Sequence, residues 1–311
     1  MPTDEACARC HADIAAEWRA SLHRRSWTNP YFLRAFAAEP APFCRKCHAP
    51  GADPAADPPP LAREAGVGCT TCHVVPEGIV GSRALAAGGQ GHAVLGDARL
   101  ATPAACASCH EFDFPPTAGS ATGPMQDTVG EHARSAASRT ACQRCHMPLV
   151  PGPAGGMHHD HGFRVQGNPA MLAQGVVVER VELVGSAVRL AIAPAIIGHA
   201  FPTGDLFRQV EVRALPIDAK GAALAPASIE VLGRRLSSVR VGSFAAAQVE
   251  LADTRLAPPG TAPSRWITLP VPVGTRRARW QIVWQRSPPW LAARLGLPEQ
   301  ETVAHEGVVS R

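Results

Sequence analysis

Five short motifs constrain this chain more than any other feature. Its ten cysteines form five Cys-x-x-Cys pairs, each followed directly by histidine, and none is left over. This spacing is the attachment pattern of c-type haem, in which two thiols add to the porphyrin edge and the adjacent imidazole binds the iron. The sequence therefore predicts five covalently attached haems c. The motifs are Cys7/Cys10/His11, Cys44/Cys47/His48, Cys69/Cys72/His73, Cys106/Cys109/His110 and Cys142/Cys145/His146.

Three other uses of paired cysteines fit this pattern less well. A zinc ribbon consumes two pairs per metal, so five pairs are an odd number, and zinc does not require histidine after each pair. A thioredoxin-like redox motif occurs once, near a strand. A disulfide framework has no need of the histidines.

Haem attachment also predicts where the chain resides. Because c-type ligation takes place outside the cytoplasmic membrane, we expect a periplasmic or extracellular protein whose leader is absent from this numbering. No uncharged stretch approaches the roughly 20 apolar residues that span a bilayer, so no transmembrane segment is predicted. The formal charge of +4 does not indicate a nucleic-acid partner, because the haem propionates would make the net charge negative.

The remaining histidines are the supply of second, distal iron ligands. Five irons need at most five, so two histidines are available for every iron. Methionine is the rival sixth ligand, and Met125, Met157 and Met171 are its candidates. The eight histidines outside the motifs are His23, His92, His132, His158, His159, His161, His199 and His305.

Local patterns suggest roles for three of these histidines. A helix is predicted over 13–23, and in it His23 lies roughly 18 Å from His11, so His23 is expected to ligate a different haem. A helix is also predicted over 127–139, with His132 facing away from the haem of the fifth motif. His92 follows the glycine-rich loop 88–91, where the backbone can approach a porphyrin closely.

Three segments carry a family resemblance: Trp18-x-x-Ser21-x-His23, Gly66-Val-Gly-Cys69 and Cys145-His-Met-Pro148. Together they resemble multihaem cytochromes related to the tetrahaem electron carrier of ammonia-oxidising bacteria and to hydroxylamine oxidoreductase. The resemblance covers about 5–170 and implies haems packed in close pairs, with one iron open in the tetrahaem relative. A fifth motif and a large C-terminal addition depart from that family.

The same resemblance implies distal ligands. His23 would ligate a later haem, and His92, in the loop after the third motif, would be another distal ligand. The segment His161-Gly-Phe163 matches the family's His-x-Phe, which favours His161 over His158 and His159.

From about residue 167 the apolar pattern changes to period two, which is typical of strands. We predict an α+β chain of two domains: a mainly helical, loop-rich multihaem domain over 1–166 and an all-β, immunoglobulin-like sandwich over 167–311. The expected strands are 176–183, 187–192, 209–215, 228–232, 239–241, 246–251, 265–271 and 278–284.

One segment of the second domain bears on the haems. His199-Ala-Phe-Pro-Thr-Gly204 resembles a His-x-Phe-Pro-Thr-Gly motif of C-terminal domains in other multihaem cytochromes, which makes His199 a candidate ligand. The alternative is a buried turn histidine. His305, near the C-terminus, is the weakest candidate within the chain, though it could serve a neighbouring molecule.

Two functions follow from these features. The leading hypothesis is an electron-transfer conduit that serves redox partner proteins, and one version of it is a haem-stacked homopolymer joined by a spare histidine. The alternative is an oxidoreductase acting on a small nitrogen or sulfur species at one five-coordinate haem. The absence of a Cys-x-x-Cys-Lys motif and the position of Tyr31, the sole tyrosine, favour the carrier. Because the first 165 residues have few large apolar side chains, we also predict that this half does not fold without haem.

Overall fold

The computed structural model describes residues 3–38, 40–87, 91–114, 124–152, 156–195, 198–241 and 245–311. Two compact units divide the chain. Unit 1 comprises Met1–Cys109 and Thr140–Arg164, and unit 2 comprises His110–Arg139 and Val165–Arg311. The domain boundary at 166/167 stays a prediction.

The described helices are all short, with at most nine residues, and none is long and apolar enough to cross a membrane. Prolines begin several of them, as in Pro42 and Pro60, because proline has the helical φ and lacks an N–H that the first turn cannot pair. The helices are α1 (Asp4–Ala8), α2 (Ala12–Ala20), α3 (Pro30–Ala38), α4 (Pro42–His48), α5 (Pro60–Ala65), α6 (Cys69–His73), α7 (Ala104–His110), α8 (Thr128–Arg134), α9 (Cys142–His146), α10 (Pro169–Ala173) and α11 (Pro289–Leu295), with a 3₁₀ helix over Ala98–Ala101.

Two helices end earlier than predicted, each at a serine. The helix expected over 13–23 ends at Ala20, and the one expected over 127–139 ends at Arg134. The next residues, Ser21 and Ser135, are extended, and their hydroxyls accept hydrogen bonds from backbone N–H groups two or three residues on. Serine thus offers the backbone an alternative to continuing the helix.

Within the described ranges the strands form five sheets. The small sheets pair in the orders β1-β2-β3, β4-β5 and β6-β7, and the larger ones in the orders β12-β11-β10-β14-β15 and β13-β9-β8. All pairings are antiparallel except that of β2 with β3. The strands are β1 (Val74–Val75), β2 (Gly78–Gly81), β3 (Leu95–Gly96), β4 (Glu111–Asp113), β5 (Pro124–Asp127), β6 (Leu149–Pro151), β7 (Met157–His159), β8 (Val176–Val184), β9 (Ala187–Pro194), β10 (Gln209–Pro216), β11 (Ser228–Val241), β12 (Ala245–Asp253), β13 (Arg265–Pro270), β14 (Arg277–Gln285) and β15 (Glu301–Ser310).

The hydrophobic core lies in unit 2. One cluster of buried side chains draws on both large sheets, with Leu190 and Ile192 from β9, Val210 and Val212 from β10, and Ile282 from β14. Strand β13 alternates buried and exposed residues, as a strand with one covered face should. The chain is therefore mixed α+β, as predicted.

The short strands β1 to β7 were not predicted, and within 167–311 the strand prediction differs from the structure in two places. The segments expected over 228–232 and 239–241 belong to one strand, β11, which pairs with β10 at its start and with β12 at its end. Strand β15 was not predicted. Its Gly307 lies against Trp280, and a β-carbon there would come within 2.8 Å of the indole ring.

Candidate haem sites

Four of the five attachment motifs lie entirely on short helices. Histidine is the last residue of α4, α6, α7 and α9, and both cysteines of each motif lie in the same helix. A helix puts residues three and four apart on one face, so both cysteines and the histidine of a motif point in similar directions. All ten cysteines are free thiols that are partly or fully exposed, which suits covalent attachment of a ligand.

The first motif differs from the others at Cys10. Cys7 lies in α1, but Cys10 lies beyond the end of that helix, in the turn before α2, and its side chain is exposed. The turn keeps helix-like bonds, because Cys10 N donates to Cys7 O at 3.2 Å and His11 N donates to the same oxygen at 3.0 Å. The three residues of this motif therefore keep their local spacing without a continuous helix, and the role of Cys10 in haem attachment stays a prediction.

Thiols of different motifs lie against one another within unit 1. Cys47 of the second motif is hydrogen-bonded to Cys109 of the fourth, and this bond lowers the pKa of Cys109. Cys7 of the first motif is hydrogen-bonded to Cys69 of the third, where burial, followed by the charge of Asp4, raises the pKa of the Cys69 thiol to about 12. The first and third motifs are therefore neighbours, as are the second and fourth.

A third contact joins the fourth and fifth motifs. Cys106 is hydrogen-bonded to Cys142, and this bond together with burial raises the pKa of Cys106. The thiol contacts thus link the second, fourth and fifth motifs in series.

Backbone carbonyls orient two of the motif histidines. His48 Nδ1 lies 2.7 Å from Ser26 O, and His73 Nδ1 lies 2.9 Å from Val80 O. A carbonyl oxygen can only accept, so Nδ1 carries the proton and Nε2 is the basic nitrogen in each neutral ring. This is the tautomer that a metal-binding imidazole adopts.

Two motif histidines face histidines from outside the motifs. The ring centroids of His11 and His92 are 6.3 Å apart, and those of His73 and His161 are 6.2 Å apart. With metal–nitrogen bonds of about 2 Å, one iron between two imidazoles separates their centroids by roughly 6 Å. The residues present therefore fit a haem iron at both places. Residues 88–90 of the glycine-rich loop before His92 lie outside the described residues.

His161 has the orientation of a ligand as well. Its Nδ1 lies 2.6 Å from His159 O, and burial lowers its pKa, which keeps the ring neutral. The Nδ1 of His92 likewise lies 3.2 Å from a carbonyl, that of Ala93.

His158 and His305 use the opposite ring nitrogen. His158 Nε2 lies 2.9 Å from Glu17 Oε1, and His305 Nε2 donates to the carbonyls of Ala173 and Val176 at 3.0 Å each. A protonated Nε2 that is held in this way is not oriented for metal binding. His159 contrasts with both, because its Nδ1 lies 2.6 Å from Met147 O.

His23 lies in the turn after α2, not in the predicted helix. Burial, with a smaller contribution from His161, lowers its pKa to about 4. The edge of its ring packs on Phe163, with centroids 4.1 Å apart. His23 is therefore a neutral imidazole beside the segment that carries His161.

His132 and His199 come together in unit 2. His132 on α8 is buried, and a β-carbon at Gly198 would lie 2.5 Å from its ring, so only glycine fits beside it. His199 Nδ1 lies 2.9 Å from Ala200 O, and burial lowers its pKa, with a smaller contribution from the charge of nearby His132. The His199 ring is neutral in these surroundings.

A buried carboxylate holds the loop that follows His199. Glu131 Oε2 accepts from Ala200 N at 3.1 Å and from Thr203 Oγ1 at 2.6 Å, and its Oε1 pairs with Arg255 at 2.7 Å. The sequence prediction missed Glu131, although it directly precedes His132. It also missed Glu17, for which no local pattern exists, because its partners lie more than 140 residues away.

The fourth motif has a side-chain partner for its histidine. His110 Nδ1 lies 3.0 Å from the Gln126 side-chain amide on β5. Of the methionine candidates, Met157 is 60% exposed.

Comparison with known proteins supports a multihaem c-type cytochrome. Residues 6–74, which include the first three motifs, match the family model described as Cytochrome c554 and c-prime. The solved penta-heme cytochrome c552 from Thermochromatium tepidum matches with a TM-score of 0.75 and 22% identity, over 100% of this chain and 98% of that chain. At this identity the likeness shows a shared fold. No curated protein matches the sequence.

Proposed function

We propose that this chain binds five haems c and conducts electrons between them without transforming a substrate. The observation that carries the proposal is the pair of facing imidazoles at His11/His92 and at His73/His161, each with the spacing for one six-coordinate iron. An iron with two protein ligands has no position for a substrate, which suits a carrier.

Close spacing of the centres is the second requirement of a conduit. Electron transfer slows steeply with distance, so successive haems must lie near one another. The thiol contacts support this, because Cys7 meets Cys69, Cys47 meets Cys109, and Cys106 meets Cys142. Haems attached at such neighbouring cysteines would have adjacent attachment positions.

The chain's own residues would set the properties of each centre. Bound haem supplies one-electron chemistry at iron, with a potential tuned by axial ligand, hydrogen bonding and burial. The carbonyls of Ser26, Val80 and His159 hold the Nδ1 protons of His48, His73 and His161, so that the basic Nε2 faces the metal. We assign His23, His132 and His199 as the distal candidates for the other three irons.

Unit 2 is proposed to serve as a docking or assembly module. An apolar cluster of its described residues draws on two antiparallel sheets, which supports an immunoglobulin-like sandwich. The proposal includes redox partner proteins in the periplasm or outside the cell.

Assembly of the chain into a haem-stacked homopolymer is a further part of the proposal. The side chain of His159 is exposed and held through Nδ1, and we propose it as the ligand across the subunit interface. Sedimentation that finds only monomers across salt and protein concentrations would remove the homopolymer.

Haem counting and electron paramagnetic resonance test the electron-carrier proposal. We expect a mass increment of five haems per chain and low-spin ferric signals from all of them. A high-spin signal from one haem, together with turnover of nitrite or hydroxylamine, would replace the carrier with the oxidoreductase.

A further inference from the structure

A carboxylate from a distant part of the chain holds the segment that carries His161. Glu17 lies on α2, and its Oε2 accepts the backbone N–H of His161 at 2.9 Å. Its Oε1 lies 2.9 Å from His158 Nε2. The side chains of Glu17 and His158 are each 17% exposed, so the contact is largely shielded from water.

Both carboxylate oxygens are therefore used on one short stretch of chain. One oxygen holds a backbone N–H and the other contacts a ring nitrogen three residues earlier, so a single side chain ties α2 to the stretch from His158 to His161.

The segment around His161 needs such an anchor. It leaves β7 through a tight turn in which Gly162 N donates to Asp160 Oδ1, and Phe163 has a φ of 46°, which is unfavourable for a bulky residue. The hairpin of β6 and β7 holds the segment only up to His159. Beyond Asp160, whose N–H donates to Pro148 O, Glu17 holds the backbone N–H of His161, while the carbonyl of His159 holds its ring Nδ1.

We infer that Glu17 is a positioning residue that holds the His161 ring opposite His73. This inference rests on the proposed function, since it matters only if His161 is a distal ligand. Glu17 touches neither ring nitrogen of His161, so it acts through the backbone. It orients the ligand by fixing the turn, as residues around metal ligands commonly do.

Three substitutions in the haem-loaded full chain separate this role from a merely structural one. Glu17→Ala removes both contacts. Glu17→Gln keeps an oxygen for the His161 N–H and turns an amide N–H toward His158 Nε2, which can accept in its other tautomer. Asp13→Ala, an exposed carboxylate in the first turn of the same helix, is the matched control.

The readouts are haem content, the resonance spectrum and the midpoint potentials. Glu17→Ala is expected to keep five haems but to show a high-spin signal of up to one haem per chain, and added imidazole should return that signal to low spin. Glu17→Gln and Asp13→Ala should match the wild-type spectrum. An all-low-spin Glu17→Ala protein with unchanged potentials would overturn the inference.

Two further results complete the test. If Glu17→Ala yields no holoprotein, Glu17→Met, whose side chain has a similar size but no oxygen to accept the His161 N–H, is compared instead. A shift in one midpoint potential supports the inference, and a wild-type titration overturns it. If His161→Ala leaves every haem low-spin, the proposed ligation itself is contradicted, which distinguishes that failure from a failure of the Glu17 inference.

Discussion

The two units differ in what fills their interiors. Of the thirty buried hydrophobic side chains among the described residues, six lie in unit 1, and two of these are alanines. The other twenty-four lie in unit 2, where most join one cluster between strands. Unit 2 therefore has the core of an ordinary β domain, whereas unit 1 has short helices with little apolar mass of their own. From this difference we predict that unit 1 needs bound haem to fill its interior, because small domains without a core depend on a cofactor.

The largest effect is expected from removing the haems. With all ten motif cysteines replaced by serine, unit 1 should lose its tertiary structure while unit 2 retains its sheets. Hydrogen exchange of the full chain should then show fast exchange over 3–109 and slow exchange over 176–216. Near-native protection in the first segment would mean that unit 1 folds without haem. The proposed difference between the two units would then be wrong.

A smaller effect is expected from a cavity in the unit 2 core. Leu190 is fully buried in β9, so Leu190→Ala should cost about 2–5 kcal/mol of unfolding free energy. Urea titration should show the loss in the β-sheet signal at unchanged haem absorption. Val184→Ala is the control, because Val184 is 53% exposed and its truncation should cost less than about 0.5 kcal/mol. Equal losses for the two variants would contradict this account of the core.

The smallest effect concerns the surface ion pairs of unit 2. Arg213 Nη2 lies 2.7 Å from Glu301 Oε2, and this hydrogen bond lowers the pKa of Glu301. A carboxyl whose pKa is lowered by folding stabilises the protein above its unfolded pKa of about 4.3, and the contribution disappears as the pH falls through the lower folded value. Because the Glu301 side chain is 41% exposed, we expect at most about 1 kcal/mol.

Urea midpoints at two pH values measure this contribution. Glu301→Gln should be less stable than wild type at about pH 6, and the difference should narrow as the pH falls below the unfolded pKa of about 4.3. Exposed Glu299→Gln provides the charge-matched control. A difference between Glu301→Gln and wild type that persists at the lower pH would show that packing, not charge, is lost.

Several features of the fold could be predicted because they are local. Period-two alternation located β8, β9, β10, β13 and β14 to within a few residues. The helix ends at Ser21 and Ser135 were missed, since a serine hydroxyl bonds either within a helix or to the turn beyond it. Strand β15 was missed because its pairing with β14 includes a register shift at Ile282, which no pattern within β15 predicts.

The sequence by itself determined the attachment chemistry, because a cysteine, a second cysteine and a histidine at positions i, i+3 and i+4 form one unit on a single turn of chain. Which histidines face each other was decided only by the tertiary structure. So was the choice of ring nitrogen, which separates His161 from His158. The physical reason is that these choices depend on backbone carbonyls, which every residue carries, and on partners such as Glu17 that lie far away in the chain and meet the ligand segment only after folding.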